Sequence, residues 1–266
     1  MQRVRRALGV RAAGHTGTLD PFATGLLVVL VGRATRLARF VEAQSKTYLA
    51  TARLGVSTDT DDLTGRIIAT SDAGSLNEGR VREALRGFTG TQLQRPPQYS
   101  AKHVGGERSY QKARRGEAVQ LAPVSVTVEH IEVVECRLPL VTFRAVVSSG
   151  TYVRALARDL GESLGVGAHL TSLRREAIGS LRVEDAVAPD RLAPAALISP
   201  RTVLGDIPTV ELGGEERTAV SHGRAVRGGV GEGGSDTVAL VAGGELVAIA
   251  RNQEGWLRPT VVLQTP

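Results

Sequence analysis

A single cysteine, Cys136, stands in 266 residues, so neither an intramolecular disulfide nor a thiolate metal cluster can form within the chain. The five histidines, at 15, 103, 130, 169 and 222, are scattered without the paired spacing of metal ligands. Aromatic residues make up only 3% of the chain, too few for an extended platform on which bases stack. No apolar run approaches the ~20 residues of a membrane-spanning helix. These absences point to a reducing cytoplasm, with no thiolate or paired-histidine metal site and no membrane span. What remains is an ordinary globular composition, 42% hydrophobic and 23% charged, long enough for one large domain plus a small appendage. The net charge of +6 and a pI near 10.1 favour a polyanionic partner.

The charge is unevenly spread. From Met1 to Phe40 there are seven arginines and no lysine, and Asp20 is the sole acid. The Arg-rich start could pass for a transit peptide, but Val4–Gly9 reads as the end of a basic helix and a Gly-rich loop follows at once. That loop, Gly14-His-Thr-Gly-Thr-Leu-Asp-Pro, sets one carboxylate among many cations, which would hold it ionised and draw a polyanion toward it. Two readings compete. Asp20 is a helix N-cap with Pro21 at the first helical position, or it is a nucleophile or base awaiting a nucleic acid.

The rest of the chain reads as α+β. Residues 25–31 are continuously apolar, as in a strand buried on both faces. Leu37, Phe40 and Val41 follow at helical spacing, and Lys46–Leu54 alternates as a strand. The acids Asp59, Asp61 and Asp62 resemble a cation loop, but Leu63 occupies a ligand position, and a solvated turn is the expectation. Asn77–Phe88 reads as a helix, Arg95–Lys102 as an extended loop, and Tyr110–Gly116 as a short basic helix. Val124–Cys136 and Leu140–Ser148 read as strands, and Ala155–Leu164 as a helix with Gly165 as its C-cap. A Pro/Ala-rich stretch over 188–199 marks a composition change before a Gly/Val-rich tail of short strands.

Several separate segments now align in one order. They are Gly14–Leu27, Lys46-Thr-Tyr, Leu54-Gly, Thr58-Asp-Thr-Asp, Tyr99-Ser-Ala, Gly150-Thr-Tyr-Val-Arg, Gly167-Ala-His-Leu and Leu173-Arg-Arg. In these motifs residues 3–205 resemble the bacterial TruB-type tRNA pseudouridine synthases, which isomerise uridine 55 of the T loop. The resemblance implies a pseudouridine-synthase fold over residues 1–205, with a mixed, mainly antiparallel sheet flanked by helices and loops. It also implies a small PUA-like RNA-binding β-barrel over 206–266. The reaction breaks a glycosidic bond, rotates the uracil and rejoins it through C5, so it calls for an ionised carboxylate rather than a cofactor or metal. By resemblance Asp20 is that nucleophile; attack at ribose C1′, attack at uracil C6 and a glycal route all remain open. Arg154 matches the arginine that pairs with it, a pairing expected to lower the carboxylate pKa by about 1–3 units. Tyr48 matches the tyrosine set against the uracil ring, and Tyr152 and Leu173 match residues lining the pocket. For Leu173, ordinary core packing is an equal reading. His15 matches the residue that fills the space left by the extruded base. Lys102, Arg108, Lys112, Arg114 and Arg115, with one acid, Glu107, form a candidate backbone-contacting run or merely a solvated basic face.

The resemblance also implies a further strand with a Lys-Pro segment ahead of residue 1; lacking it, a sheet edge and the Asp20 loop would be under-supported. The expected partner is the T stem-loop of tRNA, bound by a monomer with no obligate protein partner. The competing functions are a tRNA-binding and refolding chaperone with little catalysis, and the related guide-RNA-dependent branch acting on ribosomal RNA.

Overall fold

The computed structural model describes residues 1–99, 103–104, 107–108, 115, 121–228 and 235–264. Helix α1 (Gln2–Leu8) precedes β1 (Ala13–Thr16), β2 (Thr24–Gly25) and β3 (Val28–Val31), then α2 (Ala38–Glu42) and β4 (Lys46–Leu54). β5 (Val56–Thr58) and β6 (Ile67–Thr70) flank the Asp-rich turn; α3 (Glu78–Arg86), β7 (Gly90–Gln94), β8 (His103–Val104) and β9 (Glu107–Arg108) follow. Next come β10 (Val124–Arg137), β11 (Leu140–Val147), α4 (Val153–Ser163), β12 (Ala168–Ile178) and β13 (Leu181–Arg182). The C-terminal part holds β14 (Thr209–Glu211), α5 (Gly214–Ser221), β15 (Val226–Arg227), β16 (Thr237–Ala242), β17 (Glu245–Gln253) and β18 (Trp256–Val262).

The main sheet runs β13-β12-β4-β11-β10-β7, antiparallel at each step, and β2 lies parallel to β12 at Arg174–Arg175. Alternation explains its core. Ala50, Ala52 and Leu54 of β4 and Val141, Phe143, Ala145 and Val147 of β11 all point to one face. That face is covered by Val81 and Leu85 of α3 and by Leu156 and Leu160 of α4. Asn77 starts α3, its side chain accepting from the Arg80 amide at 3.0 Å.

The apolar run over 25–31 is not one strand buried on both faces. β2 ends at Gly25, β3 begins at Val28, Leu27 is exposed, and in β3 only alternate residues are buried. The break lets the chain leave the main sheet and pair β3 with β1. A second core forms behind it. Leu30, Leu37 and Val41 pack with Ala239, Val241, Ile249 and Val261 of the C-terminal sheet, whose order is β14-β16-β17-β18-β15. Arg33 Nη1 and Arg36 Nη1 donate to the carbonyls of Leu263 and Val262 at 3.1 and 2.6 Å. The C-terminal half-barrel is thus docked on the N-terminal segment through a shared core.

Candidate active site

No helix follows Asp20, so the N-cap reading fails: Asp20 opens a tight turn in which the Ala23 amide donates to its carbonyl at 2.9 Å. Its carboxylate is free to act elsewhere and is 30% exposed, open to an incoming group. The cation that meets it comes from none of the N-terminal arginines. Arg154, in the first turn of α4, donates from Nη2 to Asp20 Oδ1 at 3.0 Å. The Arg154 side chain is only 6% exposed and is held on several sides. Its Nη1 donates to Asp62 Oδ2 at 3.2 Å and to the Thr60 carbonyl at 2.9 Å, and its Nη2 also donates to the Tyr99 carbonyl at 3.0 Å. Arg154 Nε is buried with no partner among the described residues.

The motifs Thr58-Asp-Thr-Asp, Tyr99-Ser-Ala and Gly150-Thr-Tyr-Val-Arg therefore converge on one guanidinium. The Asp-rich turn is not the solvated turn expected of it. Asp62 is buried, and its Oδ1 accepts from Thr60 Oγ1, the Thr64 amide and Thr64 Oγ1 at 2.8, 2.9 and 2.6 Å. A buried carboxylate demands a cation or several donors, and Asp62 has both. Nothing local in an Asp-rich turn announces that its cation lies 92 residues further along the chain.

The electrostatics also depart from expectation. Burial raises the Asp20 pKa above the ordinary aspartate value; Arg154 opposes this, and Asp62 adds to it. Arg154 cannot depress Asp20 as a lone partner would, because its charge is shared between two acids. The result is a more basic carboxylate than a simple ion pair would leave.

Around the pair, Tyr48 on β4 is half-buried on the same strand face as Ala50, and Tyr48 and the Asp20-turn residues Phe22 and Ala23 each pack against the main core. Leu173 on β12 is buried in that core and pairs with Ala50, so its packing role is present whatever else it does. Tyr152 precedes α4; its amide donates to Gln94 Oε1 at 2.8 Å, and Gln94 Nε2 returns a bond to its carbonyl at 3.1 Å. Buried Gln94, which the sequence did not single out, thereby fixes the start of the helix carrying Arg154. His15 is exposed on strand β1 rather than in a loop.

Of the basic run, Lys102, Lys112 and Arg114 lie outside the described residues, as does most of the helix expected over 110–116. Arg108 falls in β9, and exposed Arg115 donates from Nη2 to Glu107 Oε2 at 2.8 Å. A cavity of about 640 Å³ lies beside the Asp-rich turn, lined by Asp61, Arg95, Gln98 and Arg158 among others; Asp20 does not line it.

With this geometry the comparisons agree. Residues 5–153 match the TruB family pseudouridylate synthase N-terminal domain, and residues 154–204 match the tRNA pseudouridylate synthase B C-terminal domain. The junction of the two matches falls at Arg154 itself. The chain is 43% identical to the tRNA pseudouridine synthase B of Thermobifida fusca (strain YX), over 98% of this chain and 92% of that one. It is 42% identical to the same-named protein of Burkholderia pseudomallei (strain 668), over 100% and 92%. Among solved structures, it matches a chain of a Cbf5-Nop10-Gar1 complex with a TM-score of 0.74 at 25% identity, covering 98% of this chain and 79% of that one. A chain from an H/ACA RNP bound to a substrate RNA containing 2'-deoxyuridine shares the fold, with a TM-score of 0.73 at 23% identity over 98% and 79%. Family model, full-length relatives and fold coincide, and the chain belongs to the TruB family of pseudouridylate synthases.

Proposed function

We propose that this protein isomerises uridine 55 in the T loop of tRNA to pseudouridine, with Asp20 as the nucleophile. The observation that carries the reading is a partly exposed carboxylate held by a buried arginine. The relatives' shared name supports tRNA as the substrate. The reaction is an isomerisation. The C1′–N1 bond breaks, a C1′–C5 bond forms, C5 gives up its proton and N1 gains one. It needs no electron donor, only a group that attacks and then leaves. Arg154 aims that group and offsets its charge. Tyr48, half-buried against the core that Phe22 and Ala23 of the Asp20 turn also meet, is suited to lie against the uracil ring. Tyr152 and Leu173 complete the pocket wall.

A base inside a folded loop must be swung out first, at a cost of about a few kcal/mol. Exposed His15 is suited to stack in the space it leaves. The net charge of +6 favours the RNA backbone as partner, and the basic run including Arg108 and Arg115 is assigned to the same surface. Residues 1–205 form the catalytic unit and 206–266 a PUA-like RNA-binding unit, in a cytoplasmic enzyme working as a monomer.

The test is a bare T-arm stem-loop offered without guide RNA, with modified positions mapped afterwards. Pseudouridine at the position equivalent to 55 is the expected result. Tight binding without any pseudouridine would instead favour an RNA chaperone.

A further inference from the structure

The second arginine of Leu173-Arg-Arg has no part in the chemistry above, yet it heads the fully buried side chains of the protein. Arg175 sits on β12, opposite Tyr48 of β4 on one side and Gly25 of β2 on the other. It is 1% exposed, and among the described residues no carboxylate lies within ion-pair distance of its guanidinium. Its partners are carbonyls. Nη2 donates to Gly17 O at 2.9 Å and Nε to Leu26 O at 2.8 Å. Its main chain joins the same grip, for the Leu26 amide donates to Arg175 O at 2.9 Å.

Gly17 and Leu26 are the two ends of the segment that carries Asp20. The fit around Arg175 is close. A Cβ on Gly25 would stand 2.2 Å from Arg175 O, and one on Gly17 would stand 3.3 Å from Nη1. A buried, unpaired cation is a heavy burden for a fold unless something is gained by it. Its nearness also contributes to lowering Lys46 to about 8, after burial itself. An apolar residue would fill the space without that penalty, but only a planar fork of donors spans two carbonyls at the two ends of one loop.

We infer that Arg175 is a positioning residue for the nucleophile: by gripping the loop at Gly17 and Leu26 it sets where Asp20 stands relative to Arg154 and Tyr48. The inference rests on the reading of Asp20 as nucleophile. It assigns Arg175 no contact with substrate.

The test compares Arg175→Met, Arg175→Lys and Arg175→Gln in the full chain with Asp20→Asn, measuring kcat, KM and tRNA Kd on a T-arm substrate together with thermal melting. A displaced nucleophile loses about 100-fold in rate when it moves by about 1 Å. Arg175→Met is expected to lower kcat on that order with tRNA Kd within about threefold, and to move the acid limb of the rate profile as the Asp20 surroundings loosen. Arg175→Lys keeps the charge but not the fork and is expected to recover less than about tenfold of the loss. Arg175→Gln removes the charge but keeps one amide donor able to reach a carbonyl, so it reports on the same contact should Arg175→Met fail to fold. Wild-type kcat and an unmoved acid limb in the folded variants, with Asp20→Asn inactive, would overturn the role of Arg175 alone. An active Asp20→Asn would overturn the underlying reading instead.

Discussion

At the scale of single residues, the site is a chain of three charges in which a buried cation stands between two acids. Asp20 is more basic than a free aspartate because burial and Asp62 together outweigh Arg154. Two consequences have opposite signs. In the proposed reaction the attacking form is the carboxylate, so activity should fall on acidification at a pH above the ordinary aspartate range. A carboxyl whose native pKa lies above its unfolded one favours folding more as pH falls, so that loss reports protonation and not unfolding. Removing the second acid tests the arrangement. Asp62→Asn leaves Arg154 to Asp20 alone, so the acid limb of the rate profile should shift to lower pH. Because Arg154 also loses one of its fixed points, kcat at neutral pH should fall by about 10- to 100-fold. A pH–rate profile of this variant with an unmoved acid limb would contradict the sharing. Asp20 itself was legible in the sequence as a lone acid in an Arg-rich segment, but its actual partner was reachable only through the motif around Arg154. Asp62 was not legible, because a run of acids in a turn looks the same whether it faces water or a guanidinium.

Among elements, long regular strands and capped helices were read closely. Lys46–Leu54 has the expected bounds, and α3 at Glu78–Arg86 falls within the helix expected over Asn77–Phe88, with Asn77 as its cap. The apolar run over 25–31 was misjudged because hydrophobicity alone does not record that its first residues pair with β12 and its last with β1. The turn between β5 and β6 bears directly on the proposed site, since its Thr60 carbonyl and Asp62 carboxylate both hold Arg154. Asp61 within it has φ 59 and pairs with Arg158 at 3.0 Å. Burial raises its carboxyl to about 6, against the pull of Arg158 and Arg154. Since the shift is upward, this group weighs against folding above pH 6 and ceases to do so as pH falls toward 4, a swing of roughly 3 kcal/mol. Asp61→Asn should flatten that part of the stability curve, and asparagine tolerates the left-handed backbone. Urea unfolding at several pH values between 4 and 8 measures it; an unchanged slope would rule out Asp61 as its source.

Across the whole molecule, the C-terminal sheet shares a core with the segment that follows the Asp20 loop. The composition change over 188–199 marked off a small appendage, and nothing in local sequence shows that Leu37 and Ile249 end in one cluster. Leu37 is fully buried there, so Leu37→Ala should cost about 2–5 kcal/mol. A chain ended at residue 205 should melt earlier than the full chain and not merely bind RNA more weakly, because Leu37 and Val41 would lose their cover. Calorimetry of the two chains distinguishes the cases: equal melting of the catalytic part would show the sheet to be dispensable for stability. The proposed catalysis depends less on this docking than on a single carboxylate. Its most direct measurement is tritium release from T-arm RNA carrying 5-tritiated uridine, comparing the native chain with Asp20→Asn at saturating enzyme. The native chain should release tritium while Asp20→Asn binds the RNA and releases none; sustained release by the asparagine variant would contradict the assignment.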